Sequence, residues 1–102
     1  MGLFSFLGAG KIKEVLKKGA VVVDVRSPHE YDNGRVPNSL NIPIERIAAN
    51  IERLKEMNVP IVFCCSTDNR SQKAKAIMKA SGLKDVYDAG SWQRVVKILK
   101  TI

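Results

Sequence analysis

Two adjacent cysteines, Cys64 and Cys65, stand where an apolar run gives way to the polar segment Cys65-Ser66-Thr67-Asp68-Asn69-Arg70. The run Ile61 to Cys64, introduced by Pro60, reads as a strand buried in a sheet. A helix is expected to begin near Ser71. A short loop between a strand and a helix can curl so that successive backbone N–H groups point inward and, with the helix dipole, hold an anion. A thiolate at the start of such a cradle is stabilised and therefore nucleophilic near neutral pH. Arg70, always charged and able to bind two oxygens at once, closes the ring.

Which sulfur does the chemistry depends on the count. From Cys65 the spacing is C-x4-R, a ring tight around the sulfur and suited to a persulfide. From Cys64 it is C-x5-R, the longer ring of cysteine phosphatases, which fits a tetrahedral phosphate. Strand register favours Cys65, because Ile61 to Cys64 fill the strand and Cys65 is the first residue to reach its polar end. Cys64 is then a small buried hydrophobe. Phosphatase or arsenate reductase chemistry through Cys64 is the alternative, and Phe63 stands where a histidine commonly precedes the phosphatase cysteine. Adjacent strand residues point to opposite faces, so no structural disulfide is expected, and this cysteine usage suits a reducing compartment. His29, the one histidine, falls in a capped turn and is not expected to activate a cysteine.

Positioning that loop is the work of alternating elements. Ile12, Val15 and Leu16 give residues 11–18 one apolar face, closed by Gly19. Val21 to Val23 form a strand ending in Asp24. Ser27, Pro28 and Glu30 make a capping box for a single turn that Asp32, Asn33 and Gly34 break. Ser39 to Ile42 add a short strand. Ile44, Ile47, Ala48, Ile51 and Leu54 stripe a helix over residues 44–57. Ala74, Ile77 and Met78 stripe another up to Gly82. Asp85 to Asp88 read as a last strand, Ala89 to Ser91 as a turn, and Trp92, Val95, Val96 and Leu99 as the buried stripe of a final helix. Strands alternating with helices predict an α/β fold with a mainly parallel sheet.

The length of 102 residues fits one domain, 1–102, with residues 1–9 as an apolar N-terminal arm in which Leu3, Phe4, Phe6 and Leu7 dock on the domain. A hydrophobic share of 45% against 26% charged excludes a disordered chain. Apolar runs stay far below the roughly 18–20 residues that span a bilayer, so no membrane association is expected. The start lacks the basic residue of a secretory signal, and Phe6 stands where myristoylation needs Ser or Thr, so a cytoplasmic location is expected. The net charge of +7 attracts anions. Its lysines are spread over three helical stretches without an aromatic ladder, so nucleic acid is not an expected partner.

The stretches VVVDVRSPHEYDNGRVPNSLNIP (Val21 to Pro43) and IVFCCSTDNRSQKA (Ile61 to Ala74) resemble, in order and separation, the two signature segments of the rhodanese family of single-domain thiosulfate sulfurtransferases. The resemblance spans roughly residues 10–100. It implies a three-layer fold, with a mainly parallel central sheet flanked by helices on both faces. It also implies that Cys65 takes a sulfur from thiosulfate or a persulfide donor and passes it to cyanide, a small thiol or a protein thiol. Cys65 and Arg70 are the catalytic residues so implied, and Ser66, Thr67, Asp68, Asn69 and Ser71 the substrate-binding ones. No metal or organic cofactor is implied, and a monomer is expected. Asp24 and Arg26 are expected to serve structural hydrogen bonding, and Trp92 to anchor the last helix. Three departures stand out: Asp68 replaces a usual glycine, Asn38 replaces another, and Arg35 stands where a histidine is frequent. A carboxylate at position 68 is expected to lower thiosulfate affinity, which keeps open a sulfur-relay or binding module fed by a protein persulfide.

Overall fold

The computed structural model describes the backbone of residues 2–66 and 68–102 and the side chains of 8–66 and 69–102. The β-branched run at Val21 forms β1 (Val21–Asp24), which pairs in parallel with β2 (Leu40–Asn41) on one side and β3 (Ile61–Cys65) on the other. β3 pairs in parallel with β4 (Val86–Ser91), giving the order β2-β1-β3-β4. Parallel neighbours need crossovers, and these carry the helices. Those in the crossovers are α2 (Pro28–Asp32), α3 (Ile51–Glu56) and α4 (Asp68–Ala80), while α1 (Gly2–Lys17) precedes β1 and α5 (Trp92–Leu99) follows β4.

Successive strand residues feed two cores. Val23, Ile61, Phe63 and Cys65 pack with Ile47, Leu54, Ala74 and Met78 beneath α3 and α4. Val22, Val62 and Cys64 pack with Ile12, Val15 and Val95 beneath α1 and α5. The result is the three-layer α/β arrangement expected, and the sheet is parallel throughout. No helix among the described residues is long and apolar enough to cross a membrane.

Several boundaries differ from the sequence reading. The first helix runs from Gly2 rather than from residue 11, since neither proline nor a β-branched residue interrupts residues 2–10. The segment read as an arm therefore joins α1 from Gly2 onward, while the side chains of Leu3, Phe4, Phe6 and Leu7 lie outside the described residues. The helix expected over 44–57 is broken into two 3-10 turns, Ile44–Arg46 and Ala48–Asn50, before α3. Asn50 is the cause. Its Nδ2 donates to the Arg46 carbonyl at 2.8 Å, taking the acceptor that its own backbone N–H would use in an α-helix, and that N–H turns to Ile47 instead. Helix α4 starts at Asp68 rather than near Ser71, and β4 continues through Ala89 to Ser91, where a turn was expected.

Asn38 has a φ of +65°, in the left-handed region that favours glycine, and asparagine is the side chain that tolerates it best. The departure at that position is thus conservative in backbone terms. Gly34, with a φ of +148°, could not carry a side chain: a Cβ there would lie 2.9 Å from the Trp92 ring.

Candidate active site

The carboxyl end of β3 separates the two sulfurs. Cys64 lies in the α1/α5 layer, where burial pushes its thiol far up and the Asp24 carboxylate adds to the effect. Cys65 faces α4. Its Sγ is 3.2 Å from Ser71 Oγ, and Ser71 Oγ donates to Asp88 Oδ1 at 2.6 Å. The backbone N–H of Gly90, which has a φ of +75° within β4, donates to the same carboxylate oxygen at 2.9 Å.

Cys65 was expected at the open mouth of the loop, outside the strand. It is instead the last residue of β3, with no exposed surface. The extension of β4 explains this: after an irregularity in register between Phe63 and Cys65, Cys65 pairs with Ser91, which a strand ending at Asp88 would not have supplied. The sulfur bordering the first turns of α4 is still that of Cys65, with Cys64 on the far side of the sheet.

Arg70 projects from α4 towards α2. It donates to both carboxylate oxygens of Glu30, at 2.7 and 3.1 Å, and to Ser66 Oγ at 2.7 Å. The fork-to-fork pairing suits the two planar groups. The Arg70 guanidinium, followed by the Ser27 backbone N–H, holds the Glu30 carboxyl down at about 2, and Glu30 in turn raises Arg70. Glu30 is delivered by the capping box read from the sequence: the Ser27 N–H donates to Glu30 Oε1 at 3.0 Å, and the Glu30 N–H to Ser27 Oγ at 3.2 Å.

Of the expected site residues, Cys65 and Ser71 thus fall in one hydrogen-bonded group with Asp88, and Ser66 and Arg70 in a second with Glu30. Asn69 is exposed on α4. Thr67 and the Asp68 side chain lie outside the described residues. Two members were not foreseen. Glu30 was read only as a cap, and a capping box accounts for local partners but not for an arginine 40 positions away. Asp88 was read only as a strand end, although a carboxylate closing a strand two positions before a glycine is itself a signal.

Behind the site, Arg26 is buried and donates to both oxygens of Asp24 and to the carbonyls of Glu30 and Gly34, with its guanidinium 5.1 Å from the Trp92 ring centre. Asn41 donates to the Asp24 and Arg26 carbonyls. These contacts knit β1, β2 and α2 together, the structural role expected of Asp24 and Arg26. Trp92 packs against the α1/α5 core. His29 is paired with Asn33 at the surface. Among the described residues, no group of three His, Cys, Asp or Glu side chains is placed to hold a metal ion.

Residues 9–97 match the rhodanese-like domain family. Thiosulfate sulfurtransferase GlpE of Pseudomonas syringae pv. syringae is 37% identical over 71 residues, covering 70% of this chain and 66% of that protein, just under two thirds of its length. The protein of the same name from Pseudomonas fluorescens is 31% identical over 87 residues, covering 85% of this chain and 79% of its own. In three dimensions, a rhodanese-related protein from Thermoplasma volcanium superposes with a TM-score of 0.69 at 30% identity, covering 87% of each chain. With the fold, the cysteine at the end of β3 and a match over most of its length in agreement, this chain belongs to the rhodanese-like domain family.

Proposed function

We propose that the protein is a sulfurtransferase that carries sulfane sulfur on Cys65. Cys65 thiolate attacks the outer sulfur of thiosulfate, the S–S bond of the donor breaks, and sulfite leaves with the bonding pair. The Cys65 persulfide then yields its outer sulfur to a thiophilic acceptor, cyanide or a thiol, and the thiolate returns. The backbone N–H groups of residues 66–70 and the positive end of α4 would stabilise the anionic persulfide. Arg70, fixed by Glu30 and Ser66, would orient the donor's sulfonate.

The observation that carries this reading is the opposite placement of the two sulfurs, Cys65 against Ser71 of α4 and Cys64 in the other core. Phosphatase chemistry through Cys64 finds no support in that geometry. The names of the Pseudomonas relatives point to thiosulfate as donor. Incubation with thiosulfate should raise the intact mass by one sulfur atom. Cys65→Ser should abolish the gain and Cys64→Ser should keep it; an unchanged mass for the wild-type chain overturns the proposal.

A further inference from the structure

We infer that Asp88 accepts, through Ser71, the proton that Cys65 must lose to become a nucleophile. The inference rests on the assignment of Cys65 as the reacting sulfur, and it names the residue that sets that sulfur's protonation. The Ser71 hydroxyl has one hydrogen. At 2.6 Å from Asp88 Oδ1 that hydrogen is given to the carboxylate, so the oxygen turns a lone pair towards Cys65, and the 3.2 Å contact is a thiol donating to a hydroxyl.

In this resting arrangement the negative charge sits on Asp88. A shift of two protons reverses it. The Cys65 S–H bond breaks as its proton forms a new O–H bond on Ser71, while the proton Ser71 held passes to Asp88 Oδ1. The products are a thiolate facing a hydroxyl donor and a neutral carboxylic acid. One negative charge is present before and after, and no outside base takes part.

Among the described residues, two other charged groups near the cysteines are held in ion pairs. Asp24 of β1 is paired with Arg26, and Arg70 of α4 with Glu30. Among the described residues Asp88 joins no ion pair; its carboxylate oxygen Oδ1 is held by the Ser71 hydroxyl and the Gly90 N–H. Asp88 is in this sense a positioning residue for the Cys65 proton, acting through Ser71.

Asp88→Asn keeps an acceptor oxygen for Gly90 and Ser71 but takes no proton, and Ser71→Ala cuts the path while leaving Asp88 in place. Both are made in the full chain with Cys64→Ser, so that Cys65 alone reports. The rates of sulfur uptake from thiosulfate and of alkylation by iodoacetamide are followed from about pH 6 to 9, across the range in which an ordinary thiol ionises. The parent chain should show a nearly flat profile. Both variants should be slower by about a hundredfold near neutral pH, the usual reach of general-base assistance, and should recover by about tenfold per pH unit. Equal rates in parent and variants, or a loss of the same size at every pH, overturns the inference, as does a parent thiol that neither reagent modifies. Alkylation with the expected profile but no sulfur uptake would uphold the relay and overturn the sulfurtransferase reading, so the two failures are distinguishable.

Discussion

Glu30 works at two ends of the site at once. One carboxylate oxygen completes the cap of α2, and both oxygens hold the Arg70 fork on α4. The pairing moves its carboxyl from 4.5 to about 2. Since the folded value is the lower one, the stabilisation is complete above about pH 4.5 and is lost as the pH falls through about 2. Urea midpoints measured across that window should fall steeply for the wild-type chain and more gently for Glu30→Gln. The difference should be modest, because both side chains of the pair are about one third exposed and solvent screens them. Identical acid profiles for the two chains would remove Glu30 from this role.

At the scale of elements, α5 begins where β4 ends, with Ser91 Oγ accepting from the Arg94 N–H at 3.2 Å. Ser91→Ala should cost about 1 kcal/mol in chemical denaturation, the usual loss of an N-cap. The strands and the helix stripes were legible in the sequence because β-branched runs and apolar residues at helical spacing are signals of the residues themselves. So were the Ser27–Glu30 cap and the stop at Gly19, each made within a few positions. What escaped were outcomes of competition. Asn50 diverts a backbone acceptor and breaks a stripe that looks continuous. Ala89, Gly90 and Ser91 have turn-like composition but become strand because β3 offers them a partner. The same holds at the site: the C-x4-R spacing marked Cys65 and Arg70, whereas Glu30 and Asp88 join them only through tertiary placement.

For the molecule as a whole, stability rests on the two cores on either side of the sheet. Phe63 lies in the middle of β3 with no exposed surface, packed beneath α3 and α4. Phe63→Ala should cost about 3–5 kcal/mol, a large part of the roughly 5–15 kcal/mol that holds a domain folded. Equilibrium unfolding in urea is the check, and a loss below 1 kcal/mol would mean that this core does not carry the fold.

All five residues of β3 are buried, so polarity does not say which of its side chains belongs to which layer. A slip of one position would exchange the two thiols while leaving an equally greasy ribbon in the middle of the sheet. Which sulfur meets α4 is therefore fixed by shape and by anchoring at the entry to β3, where the Pro60 carbonyl accepts from the Val21 N–H and the Ile61 N–H donates to the Asp85 carbonyl. An insertion or deletion of one residue around Asn58 to Pro60 would thus exchange Cys64 and Cys65 between the two layers of the molecule.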